Sequence, residues 1–227
     1  AETFLTKDEI SRFINLMEQN GGRVSYRSNN TDTPEPYEIN ITLFDAMKES
    51  FNKEVNLYVE RFICIHAIML SLEGVPAFYI HSLFGTRNDY ALYKQTNQNR
   101  SLNRGKIKIS EIDLSNESEP QSYIFLQLRK LMLIRKKQPA FHPNAVQFTL
   151  HLGSNLYGIW RQSLDKKQSI FCISNLTDEV VNLSLLDLNL IGFDHWRDII
   201  TEIEIDDITS EIELRPYQTM WLTNLQD

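Results

Sequence analysis

The sequence predicts an α/β architecture followed by a small antiparallel β domain, and three observations carry that prediction. A helix-period apolar segment, residues 54–72, ends at Gly74, and Pro76 forbids its continuation. The run Gly74-Val75-Pro76-Ala77-Phe78-Tyr79-Ile80-His81-Ser82-Leu83-Phe84-Gly85 then brings β-branched and aromatic residues, and a polar loop follows to Arg104. Helix, Gly-Pro break, buried strand and loop is the order of one unit of a parallel α/β fold. In such folds the loop leaving the carboxyl end of a strand binds ligands. Past Pro139, finally, the hydrophobic period changes from 3.6 residues to two.

Taken in order, Thr6-Lys7-Asp8-Glu9 reads as a capping box, with Thr6 the cap and Glu9 reaching back. Ile10, Phe13, Ile14 and Met17 continue a packing helix until Gly21-Gly22 stops it. Val24-Ser25-Tyr26 is a short strand, and residues 27–36 are loop. That Pro-rich loop presents Tyr37 and Glu38 as candidate ligands, although exposed Tyr-Glu pairs also occur without function. Ile41, Phe44 and Met47 suggest a short helix. The 54–72 helix is apolar around much of its circumference, so it is expected to be buried on more than one side. His66 on that face reads as a core histidine, because no second His or Cys lies at ligand spacing.

Asn88-Asp89 is followed by the segment Asn97-Gln98-Asn99-Arg100-Ser101-Leu102-Asn103-Arg104, whose three Asn and two Arg form a dense set of hydrogen-bond donors and acceptors. Arg100 and Arg104 offer planar forks suited to sugar hydroxyls, carboxylates or phosphate. Composition alone divides evenly between that use and a solvated loop with surface ion pairs. An amphipathic helix starts at Pro120 and ends with Arg135, Lys136 and Lys137, as the helix dipole favours. Pro139 and Pro143 bracket a break, and the predicted domains are residues 1–138 and 139–227. Beyond it, strand-like runs at 148–152, 156–161, 169–173, 180–185, 196–202 and 211–222 alternate with turn signals.

The net charge of −7 argues against nucleic acid or an anionic membrane as a general partner. No run is long and apolar enough to span a bilayer. The chain starts at Ala1 without Met and shows no basic region before an apolar core, so a processed end or an excised fragment is expected rather than a signal peptide. Cys64 and Cys172 lie in apolar periodic runs and read as reduced core thiols, which suits the cytoplasm. There is no phosphate-cradling Gly-rich loop, zinc spacing or nucleophile elbow, so no metal and no cofactor are expected. Carboxylates, Arg, Asn and Tyr remain, an inventory suited to carbohydrate. Glycosyl transfer needs two carboxylates flanking the bond, and no convincing pair is present.

The 74–85 run, with Asn88-Asp89 and Arg100-Ser101-Leu102-Asn103-Arg104 after it, resembles the eighth-strand region of sucrose phosphorylase-like enzymes. These belong to the α-amylase superfamily, glycoside hydrolase family thirteen. Pro36-Tyr37-Glu38-Ile39-Asn40 resembles their mobile acceptor and phosphate loop, and Ala140-Phe141-His142-Pro143 their entry into the C-terminal β domain. The resemblance covers nearly the whole chain. It implies the C-terminal part of a (β/α)8 TIM barrel followed by a small antiparallel β domain. It also implies a retaining glycoside phosphorylase that transfers glucose from an α-glucoside such as sucrose to inorganic phosphate.

In that family an Asp nucleophile, a Glu acid/base and a transition-state His-Asp pair all precede the segment matched here. The resemblance therefore places no catalytic residue in this chain, which is expected to be inactive alone. It assigns Arg100 to the glucosyl hydroxyls, Tyr37 and Glu38 to acceptor or phosphate, and Glu35 to a neighbouring acidic position. Sucrose phosphorylase has Gln where Glu38 stands, and Asp-Leu where this chain has Glu35-Pro36, which leaves sucrose phosphate and glucosylglycerate open as donors. A partial barrel would expose apolar faces, so self-association through them is expected. The competing expectation is a non-enzymatic carbohydrate- or protein-binding module, with a sugar face around Trp160, Trp196 and Trp221.

Overall fold

The computed structural model of the chain describes residues 4–28, 34–48, 57–108, 110, 114, 116, 119–188, 190 and 195–224. It divides into two compact units, residues 1–59 with 78–125 and residues 60–77 with 126–227.

In the first unit, helix α1 (Lys7–Gln19) opens with the expected capping box: the Thr6 hydroxyl accepts from the Glu9 N–H, and the Glu9 carboxylate accepts from the Thr6 N–H at 2.7 Å. Strands β1 (Arg23–Arg27) and β2 (Glu35–Asn40) form an antiparallel hairpin. Arg27, Glu35 and Pro36, expected in a loop, are therefore strand residues. The buried Val24 stands opposite Ile39, and this apolar pair draws the strands together beyond the polar stretch. A short helix α2 (Leu43–Ala46) is capped by Thr42, whose hydroxyl accepts from the Asp45 N–H. Helix α3, which belongs to the second unit from Glu60 on, runs from Tyr58 to Ser71, and the first residues of the predicted 54–72 helix lie outside the described residues.

The expected strand after Gly74 is absent. Residues 75–79 have no regular secondary structure and make no ladder with any described strand, and Val75 is 80% exposed. Pro76 lacks an N–H, and β-propensity becomes a strand only where a partner supplies hydrogen bonds. Ile80–Leu83 instead forms a helical turn, α4. The supposed continuous loop holds helix α5 (Tyr90–Thr96) and the 3₁₀ turn Asn99–Asn103.

Helix α6 (Pro120–Lys137) leads to the second unit's strands: β3 (Val146–Leu150), β4 (Leu156–Gln162), β5 (Ser169–Asn175), β6 (Val181–Ser184), β7 (Trp196–Asp198), β8 (Ile203–Ile205), β9 (Glu211–Leu214) and β10 (Thr219–Thr223). Six form one sheet in the order β3-β4-β5-β10-β7-β8, and β6 pairs with β9. Every described pairing is antiparallel. The predicted 211–222 run is two strands, because Tyr217 turns the chain with φ of 53°. The 196–202 run shortens likewise, with Glu202 at φ of 63° before β8.

Phe171, Ile173, Trp196, Met220 and Leu222 from the large sheet pack with Leu183 and Leu214 of the β6–β9 pair. Trp221 faces the other way, edge-on to Phe141 at 4.8 Å between ring centroids. Trp196 is 2% exposed and Trp221 0%, so two of the three tryptophans proposed for a sugar face are core. Cys64 and Cys172 are buried free thiols, each held protonated by burial. His66 is also buried, its Nδ1 2.7 Å from the Phe62 carbonyl oxygen.

Candidate functional site

The candidate site is assembled in the first unit by the β1–β2 hairpin and the 3₁₀ turn that carries Arg100. The hairpin register pairs Ser25 with Glu38 but Tyr26 with Pro36, which leaves Tyr37 as the extra residue of a β-bulge. In an unbroken strand successive side chains point to opposite faces. Here Tyr37 and Glu38 line the same shallow depression, as a bulge allows. Ser25, Asn97, Gln98, Asn99 and Arg100 complete its lining.

Arg100 reaches the depression through two turns. Asp89 caps α5 by accepting from the Leu92 N–H at 2.8 Å, and α5 ends at Asn97 in the left-handed region (φ 52°, ψ 28°). Asparagine tolerates that conformation better than most residues. The reversal starts the 3₁₀ turn, secured by Thr96 Oγ1 donating to Ser101 Oγ at 2.6 Å. The Asp89 N–H donates to the Leu102 carbonyl, and the Leu102 side chain is fully buried. Arg100 Nε then donates to Glu38 Oε2 at 2.9 Å. Its side chain is 53% exposed and that of Glu38 31%, so the pair faces water. The hydrogen bond that Glu38 accepts, followed by its charge, holds the guanidinium further into its protonated range.

Three of the four residues singled out from the sequence thus meet. Glu35 does not: it stands opposite Arg27 at the far end of β2 and is not in the lining. Asn88-Asp89 lies outside the lining as well. Asn88 is buried, its Oδ1 accepting from the Thr42 N–H at 2.8 Å and its N–H donating to Asp45 Oδ2 at 2.7 Å. Asp45 is buried and pairs with Lys48 at 2.8 Å. Sequence reading missed Ser25 and gave Asn97 and Asn99 no separate roles; the density of Asn in 97–103 was the available signal.

The pair offers guanidinium donors and carboxylate acceptors side by side, with a phenol beside them. That combination satisfies both lone pairs and protons of vicinal hydroxyls. Among the described residues no group of His, Cys, Asp or Glu could hold a metal ion, and no helix is long and apolar enough to cross a membrane.

No protein-family model matches the chain. It is 35% identical over 223 residues to a glucosylglycerate phosphorylase of Escherichia coli, covering 96% of this chain and 38% of that protein. A glucosylglycerate phosphorylase of Allomeiothermus silvanus is 33% identical, covering 96% of this chain and 37% of its own length. A sucrose phosphorylase of Agrobacterium vitis is 29% identical over 47% of this chain and 19% of its own. The chain thus spans about two fifths of the length of the first two relatives.

Among solved structures, a sucrose 6F-phosphate phosphorylase from Thermoanaerobacter thermosaccharolyticum superposes with a TM-score of 0.61 at 18% identity, covering 93% of this chain and 37% of that one. The shared fold is the C-terminal part of a (β/α)8 barrel followed by an antiparallel β domain. By sequence and by fold, the chain corresponds to the C-terminal portion of a sucrose phosphorylase-like enzyme of the α-amylase superfamily.

Proposed function

We propose that this chain is the C-terminal portion of a retaining glycoside phosphorylase, and that its Arg100–Glu38 pair holds sugar hydroxyls. Residues 1–138 are then the last part of the catalytic barrel and 139–227 its β domain. The enzyme transfers glucose from an α-glucoside to inorganic phosphate in the cytoplasm. The observation that carries this reading is the convergence of Arg100, from the 3₁₀ turn, with Tyr37 and Glu38 of β2 on one depression. Two turns and a bulge are organised to bring them there.

Glucosylglycerate is the donor we favour over sucrose. Glucosylglycerate phosphorylases match almost the whole chain, whereas the sucrose phosphorylase matches less than half of it. Glu38 in place of the sucrose enzyme's Gln points the same way. Glu35, at the hairpin's far end, is proposed as a more distant acidic neighbour of the acceptor.

Glycosyl transfer with retention needs two carboxylates about 5 Å apart. Glu38 is committed to Arg100, so we propose that the reacting carboxylates lie outside this chain, that the chain alone is inactive, and that its exposed apolar residues self-associate. The test is phosphate-dependent release of glucose 1-phosphate. An enzyme containing this chain should release it from glucosylglycerate faster than from sucrose, and the 227-residue chain should release none. Turnover by the isolated chain, or a preference for sucrose, would refute the corresponding part.

A further inference from the structure

Arg100 and Glu38 are long side chains at the surface, and an exposed ion pair contributes only about 0–1 kcal/mol. Such a pair cannot by itself hold a 3₁₀ turn against a hairpin. The residue beside Arg100 makes the firmer connection. Asn99 Nδ2 donates to the Val24 carbonyl at 3.3 Å and to Ser25 Oγ at 3.1 Å. Ser25 Oγ also accepts from Asn40 Nδ2 at 3.2 Å, so its two lone pairs take an amide from the turn and one from β2. Ser25 is also the cross-strand partner of Glu38. A short path therefore runs from Arg100 to its neighbour Asn99, across to Ser25, and from there to Glu38.

We propose that Asn99 and Ser25 are positioning residues: their hydrogen bonds set the guanidinium of Arg100 against the carboxylate of Glu38 and so preorganise the sugar-binding depression. This rests on the reading of Arg100 as a ligand-binding group. Preorganisation matters because a polar group held in place avoids the ordering cost of binding. Arg23 adds to the seating of the hairpin, its guanidinium 5.6 Å above the Tyr93 ring of α5.

The test follows the Arg100 Nε–H of the 227-residue chain by NMR and needs no sugar. Its hydrogen-exchange rate reports the bond to Glu38, and the Arg61 Nε–H serves as control. Asn99→Ala and Ser25→Ala should each speed Arg100 exchange about three- to fivefold and leave Arg61 within about 1.5-fold. Ser25→Thr, which keeps the oxygen, should restore the wild-type rate. Uniform acceleration at both arginines would assign a merely structural role and overturn the proposal, as would no change at Arg100. Should Asn99→Ala not fold, the Ser25→Ala and Ser25→Thr pair decides alone; failure of both alanine variants to fold also overturns it. Failure of the sugar-binding reading would look different: Arg100→Ala would leave phosphorolysis intact while the exchange result stood.

Discussion

At the residue scale, the site depends on backbone conformations that few side chains tolerate. Asn97 terminates α5 in the left-handed region and aims the chain toward Arg100. Asn97→Gly should leave stability within about 0.5 kcal/mol, whereas Asn97→Val should lose about 1–2 kcal/mol by denaturant unfolding. Histidine gives the pH dependence. Burial lowers the pKa of His66 in the folded state, and that of His81 likewise. Protonation therefore favours the unfolded chain. The stability these groups leave intact above the unfolded value of about 6.5 is lost as pH falls through it, by up to about 1.4 kcal/mol per pH unit for each proton taken up. Urea midpoints should drop between pH 7.5 and 5.5, and less steeply in His66→Gln; a flat profile would contradict this.

At the element scale, buried arginines finish a helix. Arg135 donates to the Leu70 and Gly74 carbonyls, and Arg161 to those of Ser71, His142 and Ala145. The last carbonyls of α3 have no partner within the helix, so these guanidiniums close its end. Arg161→Met would strand the Ser71 and Ala145 carbonyls, while that of His142 keeps the Ala145 N–H, and should lose about 2 kcal/mol or more in unfolding free energy. Elements defined by local chemistry were legible in the sequence: the Thr6–Glu9 box, α2, α6 and most β-domain strands follow from caps and periodicity. Those defined by a distant partner were not. Residues 75–79 have strand composition but pair with no strand among the described residues, and the Tyr37 bulge exists only because Ser25 and Tyr26 pair as they do. Helix α5 escaped notice because Tyr90–Thr96 is too short to show a period, while its cap, Asp89, was read as part of a polar loop.

For the whole molecule, the period change after Pro139 and the motif order pointed to a barrel segment joined to a β domain, and the fold shared with the sucrose 6F-phosphate phosphorylase agrees. The candidate site was legible in part. Arg100, Tyr37 and Glu38 were named from a resemblance, but their convergence depends on folding, and the Asn99–Ser25 connection carried no sequence signal of its own. The central claim is that Arg100 binds sugar in the transition state of a glycoside phosphorylase. The most direct measurement is kcat/KM for phosphorolysis of glucosylglycerate by an enzyme containing this chain, with and without Arg100→Ala. A loss of about 2–4 kcal/mol of transition-state stabilisation, roughly 30- to 1000-fold in kcat/KM, is predicted. An unchanged kcat/KM would contradict the claim.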